Sequence, residues 1–331
     1  MPREITHWVA LEESRLLLAK SAPAICAVVE EHRKEHRKEH RKEHSAAAYL
    51  GAVLHDAPYF HKRGRSKFQR ISEALHGSAG EDTLLPLRSL AEALREYQGS
   101  ERALLTSVLI GFISHYATDL HMHPMVYHFT GNYYDLNYDA RILAQTKHRS
   151  FETFLDAHMA SKYELWNRYS LREVVSALSP HLALICSWLS QGLHFLACED
   201  SATQWRESIA EISLYQAIFR SIPAGACYQF LNKILRGRLA PIEALFLRGR
   251  ESGLALFKNS ITYQNPVSGQ RLSHTVAELV TLAATETERL VLGLLNEQPQ
   301  CLSPDERGKS LNFGISGACP SEAKYFAGID P

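Results

Sequence analysis

Apolar residues recur three and four positions apart along nearly the whole chain, which is the spacing of amphipathic helices. No convincing run alternates apolar and polar residues, so strands are not predicted. The tail from about residue 299 is rich in Gly, Ser and Pro and is predicted to be irregular. Helical spacing covers residues 11–20, 23–43, 45–54, 66–76, 85–97, 101–123 and 137–163, and then 171–178, 181–196, 204–221, 227–236, 241–258 and 273–296.

The predicted fold is therefore a single all-α domain of roughly ten or more helices. No clear linker divides the chain, but histidine is dense before residue 170 and sparse after it. We expect residues 1–170 to form a core that carries the metal ligands. Residues 171–331 are expected to add further helices packed on the same domain.

The charge balance limits the function classes. Lys and Arg together number 36, as do Asp and Glu, so the formal net charge is zero. A dedicated nucleic-acid binder normally has a basic excess, so stable nucleic-acid binding is not expected. Six scattered cysteines without a Cys-x-x-Cys pair are typical of free thiols in a reducing compartment.

The N-terminus lacks the apolar core of a secretion signal. No run reaches the roughly 18–20 apolar residues of a membrane span; the best, residues 104–113, is interrupted by Thr106 and Ser107. We therefore expect a soluble, cytoplasmic protein.

A four-residue repeat, EHRKEHRKEHRKEH, occupies residues 31–44. On a helix its four histidines form one slowly drifting stripe: His32, His36, His40 and His44. The stripe could contact a metal ion or an anionic surface. A solvated helix lengthened by duplication of a short unit is the favoured interpretation.

The candidate chemistry begins in the stretch GFISHYATDLHMHPMVYH. His115, Asp119 and His123 lie at i, i+4 and i+8, so a helix places them on one face. His115 and Asp119 can hold one metal ion together, and His123 points at a second. Pro124 disfavours helical geometry at the preceding residue, so we predict that the helix ends at His123.

A second pair, His148 and Glu152, has the same i,i+4 spacing. Two ligands from one helix and one from another make a three-ligand zinc site with an open position for water. Zinc-bound water ionises near neutral pH, which hydrolysis needs. Because burying this many ionisable groups is costly without a metal ion or a partner, the combined stripes favour metal binding.

The order of these residues resembles that of the bacterial zinc-dependent phospholipase C family, which is distantly similar to single-strand-specific zinc nucleases. The resemblance covers residues 1–160 by motif, with a weaker similarity at NPVSG, residues 265–269. It implies an all-α domain with three zinc ions in a cleft. The matching residues are His7, Asp56, His76, His115, Asp119, His123, His148 and Glu152.

The resemblance divides these residues among the ions. The implied sets are Asp56, His76, His115 and Asp119 for the first ion, His123, His148 and Glu152 for the second, and His7 with a bridging Asp119 for the third. Asp56, Asp119 and Glu152 are the implied catalytic carboxylates, with Asp56 orienting the nucleophile. The implied cofactor is two or three Zn²⁺ ions, and the implied nucleophile is a metal-bound hydroxide that attacks phosphorus.

Two ligand positions have alternatives. Secreted family members use a processed N-terminal Trp at the third ion, whereas here Trp8 follows His7. We expect the initiator Met to be removed and the Pro2 imino group to complete that set. His121 and His128 are alternatives to His123 at the second ion.

An aromatic loop, FTGNYYDLNYD at residues 129–139, lies between the two ligand helices. It either forms the rim of the cleft or packs the connection between the helices. His55 precedes Asp56 and is expected to point elsewhere, and His61 in the basic turn HKRGRSK is expected at the surface, although such a turn could approach a phosphate. The remaining histidines lack a partner pattern and are expected to be surface residues or hydrogen-bonded core residues: His158, His181, His194 and His274.

The expected function is zinc-dependent phosphodiester hydrolysis, in its simplest form a phospholipase C reaction on a phospholipid. Two alternatives keep the metal ions: a zinc nuclease or small phosphodiesterase, and a metal-binding interaction protein without turnover. The second half resembles extra helices rather than the β-sandwich membrane module of some secreted relatives. At most peripheral membrane contact is therefore expected.

Overall fold

The computed structural model describes residues 4–23, 25, 38–61, 65–163, 170–196, 201–246, 251–295 and 299–327. These ranges contain twelve α-helices and one two-stranded sheet, which confirms the all-α prediction. The helices are α1 (Glu4–Ser21), α2 (Lys38–Gly51), α3 (Arg65–Leu75), α4 (Leu84–Ala93), α5 (Gly99–Thr130), α6 (Tyr138–Tyr163), α7 (Leu171–Ala177), α8 (Leu182–Gly192), α9 (Ser201–Phe219), α10 (Ile222–Ile234), α11 (Ala240–Glu243) and α12 (Val276–Leu295).

Helix α5 is the centre of the fold, since every residue from 103 to 120 is buried. The backbones of α5 and α2 are in contact where the two helices cross, because each helix has a glycine at the crossing. A Cβ atom on Gly51 would lie 2.0 Å from the carbonyl oxygen of Val108, and one on Gly111 would lie 2.0 Å from that of Ala48. This close approach brings the turn after α2 against the metal-ligand face of α5.

Helix α5 does not end at His123, so that prediction was wrong. The helix continues to Thr130 with Pro124 inside it. Proline removes one backbone hydrogen bond, but burial of Met122, Met125 and Val126 on the same turns favours the helical path. Tertiary packing therefore outweighs the local preference of the residue before proline.

Length and apolar composition would allow α5 to cross a membrane, and its apolar window is wholly buried in the protein. Among the described residues, a second candidate membrane span arises only if α7 and the segment Ser179–Gly192 are counted as one helix. The angle between these two segments is 61°. Core helices of large proteins have the same length and composition.

A short β-hairpin was missed by the sequence pattern. Strand β1 (Ile261–Gln264) pairs antiparallel with β2 (Arg271–His274), and only β1 alternates buried and exposed residues. A run of four residues is the shortest in which alternation can indicate a strand, and β2 does not alternate between buried and exposed positions. In the connecting loop, Asn265 accepts hydrogen bonds from the amides of Val267 and Ser268 and donates one to the carbonyl oxygen of Phe313.

The C-terminal segment 299–327 has two short 3-10 turns and is otherwise irregular. It nevertheless packs inside the protein, with Ser310, Leu311, Asn312 and Phe313 buried. The amide of Leu311 donates to the carbonyl oxygen of His76 at 2.9 Å. The tail therefore contacts His76, a residue of the predicted metal site, through this hydrogen bond.

The first half of the HRKE repeat, residues 31–37, lies outside the described residues and includes His32 and His36. At its C-terminal end, His44 is buried and its Nδ1 atom lies 3.1 Å from the hydroxyl of Ser107 on α5. The interpretation of the stripe as a wholly solvated surface is therefore wrong at His44. There the helix begins to pack on the core.

Candidate metal centre

The structure brings together all eight residues of the predicted site, and each is buried. They come from five segments: α1, the turn after α2, the turn after α3, α5 and α6. Among the described residues, three sets of side chains have ligand atoms within 4.8 Å of one another. The sets are Asp56, His76 and His115; His123, His148 and Glu152; and His7, His115 and Asp119.

Asp119 lies at the centre of the cluster, and each of its oxygens faces two imidazoles. Its Oδ2 atom is 3.1 Å from Nε2 of both His76 and His115. Its Oδ1 atom is 3.4 Å from Nε2 of His123 and 3.6 Å from Nε2 of His7. A carboxylate in this position can bridge two cations.

The backbone determines which ring nitrogen faces the centre in the first set. Nδ1 of His115 donates to the carbonyl oxygen of Ala52 at 2.8 Å, and Nδ1 of His76 donates to that of Ser72 at 2.6 Å. A carbonyl only accepts, so both Nδ1 atoms carry the proton. In neutral rings the Nε2 lone pairs then point at the carboxylate of Asp119, which is a metal-ligand arrangement.

The second set joins α5 to α6. Nε2 of His148 is 2.8 Å from Oε1 of Glu152, and Nε2 of His123 is 3.5 Å from the same oxygen. The rings of Tyr127 and Tyr133 lie against His148 at 4.9 and 5.2 Å between centroids. The tyrosines therefore restrict the orientation of a predicted ligand.

The alternatives to His123 lie elsewhere. Nδ1 of His128 donates to the carbonyl oxygen of Tyr325 at 2.8 Å. His121 lines a separate cleft beside the β-hairpin, together with Lys309 and His274. Of the three histidines, only His123 faces Glu152.

The third set depends on a stack of imidazole rings. The ring of His7 stacks on that of His115 with centroids 3.9 Å apart, and His55 stacks on the other face of His115 at 4.4 Å. His55 was expected to point away from the site, and that expectation was wrong. Its position beside Asp56 was the only sequence signal.

Asp156 holds the helix that carries His7 and was missed by sequence analysis. Its carboxylate accepts hydrogen bonds from the amides of Ile5 and Thr6, at 3.2 and 2.8 Å, and from the Thr6 hydroxyl. It lies one turn after Glu152, so it continues the polar stripe of α6. A carboxylate at the amino end of α1 also interacts favourably with the helix dipole. Pro2, the proposed further ligand, lies outside the described residues.

Burial favours neutral rings at His7 and His148, whereas Asp119 favours a charged ring at His115. Burial lowers the pKa of His7 well below its usual value and lowers the pKa of His148 to about 4. Burial by itself raises the pKa of Asp119 and Glu152, but the neighbouring histidines outweigh it and hold both values well below the usual range. A bound metal cation would lower these two pKa values through the same effect of nearby positive charge.

Several buried polar atoms of the cluster lack a hydrogen-bond partner, which is costly unless a metal ion or water completes them. The residues present therefore fit zinc, which prefers imidazole and carboxylate ligands. The unpartnered ligand atoms are both ring nitrogens of His7 and His123, Oδ1 of Asp56 and Asp119, and Nε2 of His115.

Packing of the connection between the helices, one of the two roles considered for the aromatic loop, is seen at Tyr134. The Tyr134 hydroxyl lies 3.0 Å from the hydroxyl of Ser78 and 3.4 Å from Nδ2 of Asn312, so this residue packs the connection. Tyr133 lies over His148, whereas Leu136 and Tyr138 are 98% and 66% exposed. The loop therefore runs from the site to the protein surface.

The other histidines take mixed environments. His61 was expected at the surface but is buried, with its ring against Phe68, so that expectation was wrong. His194 is exposed. His158 contacts the ring of Phe257, His181 lies 3.8 Å from Glu43, and His274 lies 3.1 Å from the hydroxyl of Tyr263.

Residues 22–187, which are 166 of the 331 residues, match the family model described as zinc dependent phospholipase C. The chain belongs to the zinc-dependent phospholipase C family. Seven of the eight predicted ligands lie within the match, and His7 precedes it. No curated protein and no solved structure matches the chain.

Membership of the zinc-dependent phospholipase C family indicates zinc as the metal and a hydrolase of phospholipase C type as the class of protein. The family also indicates a phospholipid as the substrate class. These conclusions agree with the donor set, which contains only imidazoles and carboxylates.

Proposed function

We propose that the protein is a phospholipase C that hydrolyses the bond between the glycerol oxygen and the phosphorus of a phospholipid. The products are a diacylglycerol, which takes up a proton on its oxygen, and a phosphorylated head group. The observation that carries the proposal is the position of Asp119, whose two oxygens each face two imidazole nitrogens inside the protein.

The three sets described above would hold three zinc ions, and Asp119 of the third set would also serve the first, because its Oδ2 atom faces His76 and His115. When bound, zinc supplies Lewis acidity toward the phosphoryl oxygens and lowers the pKa of water. The protein orients the ligands through backbone carbonyls, as at Ala52 and Ser72. Such outer partners fix the tautomer and orientation of ligating histidines.

Asp56 is the proposed carboxylate that orients the nucleophile. Its Oδ1 atom lies 3.5 Å from Nε2 of His76 and has no hydrogen-bond partner. Burial raises its pKa, which suits a group that takes up a proton during the reaction. Glu152 is proposed to act through the second set, where it lies between His123 and His148.

Zinc content and substrate choice test the proposal together. Untagged protein purified without chelators should contain about three zinc ions per chain if every set is complete. The loaded protein should hydrolyse short-chain phosphatidylcholine and leave single-stranded DNA intact. Preferred cleavage of DNA would replace the phospholipase with a nuclease. Bound zinc without turnover of either substrate would indicate a metal-binding interaction protein.

A further inference from the structure

A helical hairpin formed by residues 222–246 carries an unusual concentration of exposed apolar side chains. It consists of α10, α11 and the turn between them. Among the described residues fifteen large apolar side chains are exposed, and five of them lie within residues 222–235. Phe230 and Ile234 are 64% and 59% exposed and lie one helical turn apart. The other three are Ile222, Leu231 and Leu235.

The same hairpin is cationic at its exposed end. Three exposed cationic residues lie between or directly after the exposed apolar residues along the chain: Lys233, Arg236 and Arg238. Its only acidic residue, Glu243, is half-buried and accepts a hydrogen bond from the Asn232 amide. Exposed apolar groups flanked by cations are the composition of a segment that lies at a membrane surface.

The turn of the hairpin has a defined conformation. The side-chain Oδ1 of Asn232 accepts a hydrogen bond from the amide of Leu239 at 2.8 Å. The backbone carbonyl oxygen of Asn232 accepts one from the amide of Gly237 at 2.9 Å. Arg236 has φ of 52°, and no other non-glycine residue in the described ranges has positive φ. The turn therefore presents its cations from a fixed backbone.

Two hydrogen bonds connect the hairpin to α6, the helix that carries His148 and Glu152 of the second set. Arg149 donates to the carbonyl oxygen of Pro241 at 3.0 Å, and the Thr153 hydroxyl donates to that of Ala244 at 2.9 Å. These two donors are the chain neighbours of His148 and Glu152. A surface bound by the hairpin would therefore be held at a fixed position relative to the metal centre.

We propose that this hairpin docks on the surface of an anionic phospholipid bilayer. Phe230 and Ile234 enter the interface, and the three cations contact lipid phosphates. A role for this docking in catalysis rests on the proposed function, whereas binding of the hairpin to the bilayer does not. The hairpin lies outside residues 22–187, so the family match does not account for it. Self-association through this face would bring the same cations together across a two-fold axis, which disfavours it.

Vesicle cosedimentation tests the proposal with the full chain. Wild-type protein should bind vesicles of phosphatidylglycerol and phosphatidylcholine more tightly than pure phosphatidylcholine vesicles, and high salt should weaken the preference. The double variant Phe230→Ser, Ile234→Ser should bind the anionic vesicles at least about tenfold more weakly. The double variant Lys233→Ser, Arg236→Gly should lose a similar factor and the salt dependence. Glycine suits the positive φ at position 236.

Matched controls separate docking from general surface changes. Leu16→Ser removes a side chain that is 61% exposed on α1, and Lys258→Ser removes an exposed cation elsewhere. Both should bind vesicles like the wild type. All variants should hydrolyse a soluble monomeric phosphodiester such as p-nitrophenyl phosphorylcholine at the wild-type rate, which also shows that they are folded.

Three outcomes would overturn the docking proposal. The first is that wild-type protein does not bind anionic vesicles. The second is that the hairpin variants bind these vesicles as well as the controls do. A dimer in sedimentation velocity that Phe230→Ser, Ile234→Ser disrupts, without vesicle binding, would assign the face to self-association instead. Vesicle binding by a zinc-loaded protein that hydrolyses no phosphodiester would overturn the proposed function and leave the docking surface standing.

Discussion

Nε2 of His115 lies 3.1 Å from Oδ2 of Asp119, although the Nδ1 proton of His115 is already donated to the carbonyl oxygen of Ala52. A neutral ring in this position would direct its lone pair at a carboxylate oxygen. A cation must therefore lie between them, either a proton on Nε2 or a metal ion. Burial disfavours a charged His115, but Asp119 outweighs it and raises the pKa of His115. Protonation of Nε2 and binding of a metal ion therefore compete for the same position.

Asp119→Asn should be the most damaging single substitution at the site. The amide removes the charged oxygen from the first and third sets at once, so two ions lose a ligand. We expect loss of about two zinc ions per chain and at least about a thousandfold lower kcat/KM. Elemental analysis and hydrolysis of short-chain phosphatidylcholine check both. The control is the exposed Asp139→Asn on α6; activity of Asp119→Asn near wild type would exclude a bridging role.

Asp156→Ala should act on the third set through the position of His7. Without the carboxylate, the amides of Ile5 and Thr6 lose their acceptor and the start of α1 loosens. We expect zinc affinity at the third set to fall about 10- to 100-fold, with the His148–Glu152 set retained. Competition with a chromophoric chelator measures this. Asp139→Ala is the matched control, and uniform weakening of every set would point to general unfolding instead.

Gly111→Ala should destabilise the crossing of α2 and α5. Its Cβ atom would lie 2.0 Å from the carbonyl oxygen of Ala48, so the helices must separate. We expect a loss of about 3 kcal/mol of unfolding free energy, measured by chemical denaturation. Gly225→Ala is a milder comparison, because there the nearest atom is a side-chain carbon of Phe246 at 3.2 Å. Equal losses for both would contradict a backbone contact at the crossing.

The metal-free protein should lose stability in mild acid through His148. Burial lowers the pKa of this imidazole to about 4, below the usual value of 6.5. Between these two values the unfolded chain binds a proton that the native protein does not bind. Its contribution to stability is therefore full above pH 6.5 and decreases toward pH 4, by up to about 3 kcal/mol. Denaturation of wild type and His148→Gln with chelator present measures the difference; parallel curves across this range would exclude the effect.

Helix spacing was sufficient to predict the class of fold and to place both i,i+4 ligand pairs. The pairs depend only on the rise and twist of a helix, so the residue interval alone predicts that His115 and Asp119 share a face. The order of chemically distinctive residues was enough to indicate the family. The family match confirms that inference over residues 22–187.

Local rules failed where tertiary contacts decided the outcome. Pro124 lies inside α5 because the surrounding turns are buried, and the residues before the proline did not show this. The role of Asp156 depends on α1 meeting α6, which are about 150 residues apart in sequence. His55 joins the cluster only because the turn after α2 packs against α5.

The helical architecture and the candidate ligand side chains could be predicted from the sequence alone, because both depend on local periodicity and on residue chemistry. Three features required the folded protein: which ring nitrogens face Asp119, which residues orient the candidate ligands, and which apolar side chains of α10 stay exposed. These features arise from contacts between segments far apart in the chain, and such contacts leave no periodic pattern in the sequence.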